Sequence, residues 1–284
     1  MIFEQIRNQL DDLSKTQKII AQFILEDYSS FAFMHLEQIS EQLDVSAASI
    51  YRFCKRLGYD GFPALQREIQ SLVRQEFTPM KELKASIQDE SIEEDIFQNT
   101  ITSNIEMLNN LYTEQMNSKF LTTVSYLAQA RTIYIIGLRS SFSVAYYSYF
   151  MLNQLRDSII LLEPGRGDLY DSVNDMTPDD ILLAISFSPY TSITVEVLKV
   201  ANQKGLNTIG ITDSNSSPLA MYAKLPIVIK KSSRMYSFVP VSTFLNAVII
   251  SLGKTDKDRI LHRLKKKQEY LKEHGVYYQK EPGV

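Results

Sequence analysis

From residue 132 onwards, short runs of apolar and β-branched residues alternate with segments of helical spacing. The five runs lie at 132–136, 158–162, 181–186, 207–212 and 225–229. Strands that are apolar along their whole length are covered on both faces, and strands that alternate with helices pair in parallel. The pattern therefore predicts a doubly wound α/β domain built on a five-stranded parallel sheet.

The first 77 residues follow a different pattern, with helical periodicity and no convincing strand. Apolar residues recur at the 3.6-residue period after Ser14, which is suited to cap a helix. A second helix is predicted over 36–43, and after a tight turn Ser46 opens a third. We therefore expect a multidomain protein of α and α/β type. Its predicted parts are an all-helical bundle at 1–77, a linker and connecting helix at 78–114, the α/β domain at 115–253, and a basic C-terminal helix and tail at 254–284.

The helix predicted from Ser46 carries cations on one side only, in a chain whose formal net charge is -3. At 100° per residue its apolar arc is Ile50, Phe53, Cys54 and Leu57, and the opposite face is Ala48, Ser49, Arg52, Lys55 and Arg56. A short helix, a tight turn and such a second helix form the helix-turn-helix pattern, whose second helix enters the major groove of DNA. Ser49 and Arg52 would reach base edges, and Lys55 and Arg56 would contact phosphate oxygens. The alternative is a solvated charged face with no partner.

The stretch LEQISEQLDVSAASIYRFCKRLGYDGFPALQREI resembles the N-terminal domain of the RpiR/MurR-type bacterial transcriptional regulators. The resemblance implies a winged-like helix-turn-helix domain that binds a double-stranded DNA operator. It places the contacts on Ser46, Ser49, Tyr51, Arg52 and Lys55. Gly58 is suited to end the helix, because glycine tolerates the left-handed conformation found there.

Three turns that follow predicted strands are rich in hydroxyl groups, and ligands of parallel sheets bind beyond the carboxyl ends of strands. The turn after the first strand contains Gly137, Arg139, Ser140 and Ser141; the turn after the third contains Ser186, Ser188, Thr191 and Ser192; the turn after the fourth contains Asp213, Ser214, Ser216 and Ser217. Hydroxyl and N–H groups at helix N-termini favour an anion, and Arg139 adds a full positive charge. Ordinary helix capping is the alternative for any one of these turns.

Residues 115–253 resemble a sugar isomerase (SIS) domain, the module that binds phosphosugars in isomerases and in RpiR-type regulators. The resemblance implies that the effector is a small anionic metabolite of the phosphosugar kind. Arg139 stands where the first loop of this family usually has its second glycine. The phosphate loop usually reads Ser-x-Ser-Gly-x-Thr, whereas here it reads SFSPYT (186–191). Pro189 removes a backbone N–H and Tyr190 adds bulk, so another anion, such as a carboxylate, is the alternative ligand.

An aldose–ketose isomerase needs a base that moves a proton between adjacent carbons. Glu163, Glu196 and His262 are the candidates, and each is more simply explained as a surface or capping residue. Because an isomerase has no use for a DNA-reading helix, we expect a binding protein that is not an enzyme and needs no cofactor. Two alternatives stay open: an SIS-type sugar-phosphate isomerase with a helical dimerisation domain, and a regulator whose sensor domain has lost its ligand.

The composition of the chain argues against a disulfide-stabilised, metal-binding, secreted or membrane protein. The single cysteine, Cys54, excludes an intramolecular disulfide, and three histidines far apart in sequence do not suggest a metal site. The N-terminus lacks the features of a secretory signal, and there is no apolar run long enough to span a membrane, so we expect a cytoplasmic protein with no membrane partner. A single recognition helix reads only a few base pairs, so we expect a homodimer or tetramer.

Overall fold

The computed structural model describes residues 2–76, 87, 95–230 and 237–278. Five helices form the N-terminal bundle: α1 (Ile2–Gln9), α2 (Lys15–Phe33), α3 (Leu36–Leu43), α4 (Ala47–Arg56) and α5 (Phe62–Glu76). Their apolar faces meet in one core, in which Phe31, Phe53 and Leu65 are fully buried. Helix α2 is kinked at Asp27, whose backbone angles are not helical. The predicted all-helical bundle is confirmed.

The second part of the chain is an α/β domain. Its helices are α6 (Ile96–Leu111), α7 (Glu114–Gln129), α8 (Phe142–Leu155), α9 (Leu169–Asn174), α10 (Ser192–Gln203), α11 (Pro218–Tyr222), α12 (Val239–Thr255) and α13 (Lys257–Glu273). Its strands are β1 (Ile133–Gly137), β2 (Ile159–Leu161), β3 (Ile181–Ile185), β4 (Asn207–Thr212) and β5 (Leu225–Val228). Of the predicted connecting segment, residues 78–86 and 88–94 lie outside the described residues, as does the end of the tail at 279–284.

The five strands pair in parallel in the order β2-β1-β3-β4-β5, which confirms the predicted doubly wound sheet. Strand β2 pairs with one edge of β1, and the chain then crosses back so that β3 pairs with the other edge of β1. In the register of β1 and β3, Gly137 lies opposite Ile185, so both strands end at the same level. This is the point at which the direction of winding reverses, and open α/β sheets bind ligands in the crevice that such a reversal creates.

Alternate residues of each strand face opposite sides of the sheet, and each side has its own core. Ile133 and Ile135 of β1 pack with residues of α7, α8 and α12. Tyr134 and Ile136 of the same strand pack with residues of α9, α10 and α11. The continuous apolar runs in the sequence follow from this coverage, because a strand buried on both faces has no solvent-facing position to make polar.

A buried carboxylate ties the starts of β1 and β3 together. Asp180 accepts two hydrogen bonds from Arg131, at 2.9 and 2.7 Å, and one from the backbone N–H of Thr132 at 3.1 Å. The N–H and the hydroxyl of Thr177 donate to it as well, at 2.8 and 3.0 Å. Burial alone would raise the pKa of Asp180, but the hydrogen bonds from Arg131, Thr177 and Thr132 favour the ionised form and hold the pKa below its usual value.

The C-terminal helix α13 is fixed to the α/β domain through Arg263. Its guanidinium donates to the carbonyl oxygens of Gln154 and Asn153 in the last turn of α8, at 3.1 and 3.3 Å. It also forms a bidentate pair with Asp157, at 2.9 and 2.8 Å. A cation at a helix C-terminus pairs with carbonyls that have no partner within the helix, so Arg263 caps α8. No helix in the described ranges is long and apolar enough to cross a membrane.

Candidate functional site

Helix α4 is closed at both ends by residues of its own sequence. The Ser46 hydroxyl oxygen accepts the backbone N–H of Ser49 at 3.2 Å, which is an N-cap. At the other end Gly58 has φ +85°, its N–H donates to the Lys55 carbonyl, and the N–H of Tyr59 donates to the Cys54 carbonyl. This pair of bonds is a Schellman motif, so Gly58 ends the helix as predicted.

The apolar arc of α4 faces the bundle core. Ile50, Phe53 and Cys54 are fully buried, and Leu57 is nearly so. Burial raises the pKa of the Cys54 thiol to about 11, so this cysteine is a protonated core residue at neutral pH. The opposite face therefore points away from the core, whatever it binds.

Of the six residues predicted to contact DNA, four lie on this outer face, Ser46 is the N-cap of the helix, and Tyr51 lies beside the face. Ser46, Tyr51, Arg52, Lys55 and Arg56 are exposed, and Ser49 is half-buried. Arg52 donates to the Ser49 hydroxyl at 3.3 Å, which holds the two side chains predicted to reach base edges next to each other. Tyr51 has a packing role besides, because its ring covers Gly61 so closely that an added Cβ would lie 3.3 Å from it.

Sequence reasoning missed the partner of Lys55. Its ammonium lies 3.1 Å from a carboxylate oxygen of Asp60 and 5.7 Å from the centre of the Tyr51 ring. The hydrogen bond to Asp60 raises the pKa of Lys55, although both groups are exposed and such a pair adds little stability. Among the residues that the structure describes, Arg52 and Arg56 are the cations of this face that have no carboxylate partner. The signal in the sequence was an acidic residue in the turn that follows the helix.

The turn after β1 passes close to the helix that follows it. A Cβ on Gly137 would lie 2.8 Å from the Cβ of Ala145 and 2.9 Å from the carbonyl oxygen of Ser141. Arg139 has φ +55°, the left-handed conformation that glycine adopts without strain, which accounts for the glycine usual at this position. Arg139 and Ser140 are exposed, whereas Ser141 is buried. Arg139 thus places an exposed cation at the carboxyl end of β1.

The close approach at Gly137 gives a stability prediction. Gly137→Ala is expected to lower the free energy of unfolding by about 1–3 kcal/mol, because the new methyl group meets backbone as well as a side chain. Denaturant unfolding measures this change. Gly165→Ala is the matched control, since a Cβ at Gly165 meets nothing within 4 Å. Equal unfolding midpoints for the two variants would show that the packing at Gly137 is not tight.

The loop after β3 is held by its own hydroxyl groups. Ser186 is buried, and its oxygen accepts the N–H of Thr191 at 3.3 Å. The hydroxyls of Thr191 and Thr194 are 2.8 Å apart, and Ser192 is exposed at the start of α10. The loop therefore presents hydroxyl groups at the N-terminus of a 12-residue helix, where the helix dipole favours negative charge.

Asp213, directly after β4, bonds to this loop. Its carboxylate accepts the N–H of Ser188 at 3.0 Å and the hydroxyl of Tyr190 at 2.8 Å. Burial, together with the charge of Asp213, raises the pKa of Tyr190 well above its usual range, so its hydroxyl stays protonated and donates. The peptide bond between Ser188 and Pro189 is cis. The sequence placed Asp213 at this sheet edge, but nothing in it indicated that the carboxylate faces the β3 loop.

Tyr190 also contacts the N-terminal bundle. Its ring and that of Phe33, the last residue of α2, pack edge to face with centres 5.2 Å apart. The bulk that Tyr190 adds to the phosphate loop is therefore used in a contact between the two parts of the chain. Spacing along the sequence gave no sign of this contact, because it joins residues 157 positions apart on separate domains.

The three candidate bases occupy different parts of the α/β domain. Glu163 follows β2 at the carboxyl edge, and Glu196 is exposed on α10. His262 is exposed on α13 beside Arg263, which is bound to the last turn of α8 and so lies towards the opposite edge of the sheet. Over the ranges that the structure covers, no three His, Cys, Asp or Glu side chains are grouped so as to hold a metal ion.

Comparison with known proteins accounts for both parts of the chain. Residues 1–76 match the helix-turn-helix domain of the rpiR family, and residues 126–251 match the SIS domain. The chain belongs to the RpiR family of transcriptional regulators. Together the two matches join a helix-turn-helix domain to a SIS domain in the order that the sequence resemblance implied.

Relatives of this RpiR-family protein agree along most of its length. It is 26% identical over 254 residues to the transcriptional regulator HexR of Pseudomonas aeruginosa, a match that covers 85% of this chain and 83% of HexR. Vibrio vulnificus NanR, solved in complex with ManNAc-6P, superposes with a TM-score of 0.69 at 18% identity over 98% of this chain and all of NanR. The sugar isomerase domain of an RpiR transcription factor from Sphaerobacter thermophilus superposes with a TM-score of 0.57 at 23% identity, over 62% of this chain and 99% of that domain. At these identities the two solved structures establish the fold.

Proposed function

We propose that this RpiR-family regulator binds operator DNA through the outer face of α4, and that a small anionic metabolite at the β1 and β3 loops alters this binding. The observation that carries the proposal is the two-sided character of α4. Its apolar arc is buried in the bundle, and its outer face presents Arg52, Arg56 and Lys55 in a chain of net negative charge. Cations concentrated on one exposed helix of an acidic chain fit a polyanionic partner.

The positions of the cations along α4 suit Arg52 to contact bases, and Lys55 and Arg56 to contact phosphates. Arg52 lies near the middle of the helix with its guanidinium bonded to Ser49, and an arginine presented in this way can bind guanine bidentately. Lys55 and Arg56 lie in the last turn, where the duplex backbone would pass. Because one such helix reads only a few base pairs, we propose that a homodimer, or a tetramer built from dimers, binds an operator with two-fold symmetry.

The effector site is assigned to the carboxyl edge of the sheet, where the loops after β1 and β3 flank the crevice between these strands. It contains Gly137, Arg139, Ser140, Ser141, Ser186, Ser188, Thr191 and Ser192. The donors there are hydroxyls, backbone N–H groups at the start of α10, and the exposed Arg139, a set that suits phosphate or carboxylate oxygens. The sugar phosphate named with NanR supports a phosphorylated sugar derivative as the ligand class. The proposal contains no catalytic step, since the relative HexR is a regulator and His262 lies away from this edge.

Selection from a random DNA library tests the DNA-binding half and requires no defined operator at the outset. Repeated rounds of capture by the full chain should enrich an inverted repeat whose half-sites are about one helical turn apart, or a multiple of it. Anisotropy titrations with the selected duplex, with and without a panel of sugar phosphates and sugar acids, then test the sensing half. A library that stays random after capture would contradict DNA recognition, whereas a duplex whose affinity no metabolite changes would contradict sensing alone.

The ion pair between Lys55 and Asp60 predicts that removing the carboxylate strengthens DNA binding, whereas removing a cation from α4 weakens it. Asp60→Asn is expected to tighten binding to the selected duplex by roughly two- to fivefold at low salt, because it removes a carboxylate that repels phosphate and releases Lys55 to bind it. Anisotropy titrations at several salt concentrations measure this. Asp12→Asn, an exposed acidic residue before α2, is the matched control. Unchanged affinity for Asp60→Asn would show that Lys55 faces away from the duplex.

A further inference from the structure

Asp213 occupies hydrogen-bond donors that an anionic ligand of the β3 loop would use. Its two carboxylate oxygens accept the Ser188 N–H at 3.0 Å and the Tyr190 hydroxyl at 2.8 Å. The hydroxyl of Thr212 also points to it, at 3.4 Å. A carboxylate bound by several donors at the mouth of a loop is chemically similar to a bound phosphate, because both present oxygens that share negative charge. The chain thus supplies its own anion at this loop.

The same tyrosine extends this contact to the DNA-binding bundle. Its hydroxyl is held by Asp213 of the α/β domain, and its ring packs against Phe33 of α2. Phe33 in turn packs against the bundle core. The orientation of Tyr190 therefore depends on both domains. A displacement of Asp213 that moves Tyr190 also changes the contact between Tyr190 and Phe33.

We propose that Asp213 and Tyr190 form a latch that closes the β3 loop in the absence of ligand, and that an entering phosphate displaces the Asp213 carboxylate and breaks the contact between Tyr190 and Phe33. The latch rests on the proposed function, since it describes how the effector loop communicates with the DNA-binding domain. It also defines the ligand class more narrowly. A monocarboxylate brings the same single charge as Asp213, whereas a phosphate group carries about −1.5 to −2 at neutral pH and competes better for the same donors.

Binding of inorganic phosphate to the full chain tests the first part of the latch. Calorimetry should show that Asp213→Asn binds phosphate about tenfold or more tightly than the wild type, because a like charge has been removed from the loop. Asp258→Asn on α13 is the matched control and should bind as the wild type does. Acetate should bind more weakly than phosphate to every variant.

Tryptophan fluorescence tests the second part. The chain contains no tryptophan, so Phe33→Trp supplies a single tryptophan beside Tyr190, whose emission can be excited apart from that of the tyrosines. Saturating phosphate should shift its emission to longer wavelength as the contact opens and the indole meets water. In Phe23→Trp, where the replaced ring packs against Phe31 inside the bundle, phosphate should leave the emission unchanged.

The outcomes separate the latch from the proposed function. Tighter phosphate binding by Asp213→Asn together with a phosphate-dependent shift in Phe33→Trp supports the latch. Phosphate that binds equally to wild type and Asp213→Asn, or that binds without moving the Phe33→Trp emission, overturns the latch and leaves anion sensing intact. Absence of phosphate and sugar-phosphate binding in all variants overturns both, while DNA binding through α4 is judged independently by the library selection.

Discussion

The double variant Arg52→Ala, Lys55→Ala is expected to bind the selected operator roughly 100-fold more weakly than the wild type, or worse. Loss of a bidentate arginine–base contact costs about 1–3 kcal/mol, and loss of the Lys55 phosphate contact weakens binding further. Both side chains are exposed on the outer face of α4, and neither contributes to the bundle core, so the effect falls on binding rather than on folding. In the proposed dimer both copies of α4 are altered in the same way. Anisotropy titration at fixed salt measures the affinity, and far-ultraviolet circular dichroism shows that the bundle is folded.

The salt dependence of the two single variants distinguishes a phosphate contact from a base contact. Removing one phosphate contact lowers the slope of log affinity against log salt concentration by about 0.9. We therefore expect a shallower slope for Lys55→Ala, and for Arg52→Ala a relaxed preference at one base position with little change in slope. Lys254→Ala, which removes an exposed cation from α12, is the control and should leave both quantities unchanged. A double variant that binds within about twofold of the wild type would contradict the assignment of α4 as the recognition helix.

The largest effect on stability is expected for Asp180→Ala, at about 3–5 kcal/mol of the free energy of unfolding. The Asp180 side chain is fully buried, and its removal leaves the N–H groups of Thr132 and Thr177 without their acceptor. An unsatisfied buried donor costs about 1–3 kcal/mol, so the two backbone groups alone account for most of the effect. Asp179→Ala, at the exposed neighbouring carboxylate, should change stability by no more than about 0.5 kcal/mol.

Lowering the pH should remove the contribution of Asp180 to the free energy of unfolding. Because its pKa is lower in the folded chain than in the unfolded chain, the ionised carboxylate stabilises the fold above the unfolded pKa of about 3.9. That stabilisation is lost as the pH falls from there through the folded pKa. The difference in unfolding free energy between wild type and Asp180→Ala should therefore be constant near neutrality and shrink below about pH 4. A difference that stays the same in acid would mean that the ionised form of Asp180 has no special role.

The sheet could be predicted because burial on both faces leaves a direct trace in the sequence. Each strand is a run of apolar residues, and each run is separated from the next by a helix, so strand number and parallel pairing follow from the chain alone. The outer face of α4 could be predicted for a similar reason, because a helix repeats every 3.6 residues and places Arg52 and Lys55 opposite Phe53 and Cys54.

Interactions that depend on the packing of distant elements left no such trace. Asp213 was identified as part of a polar turn, but its bonds to Ser188 and Tyr190 follow from the pairing of β3 with β4 and from the path of the loop between them. The packing of Tyr190 on Phe33 depends on how the bundle sits against the sheet, and no periodicity encodes that. The family's usual pattern marked Pro189 and Tyr190 as unusual, and the structure shows that Tyr190 has a partner on each domain.

Helix α8 connects the loop that carries Arg139 to the C-terminal helix α13. Its first turn follows the loop that carries Arg139, and its last turn is gripped by Arg263. A helix of 14 residues is about 21 Å long and behaves as a stiff rod. A tilt of the first turn of α8 therefore displaces its last turn. Helix α13 moves with that last turn, because Arg263 bonds to its carbonyl oxygens.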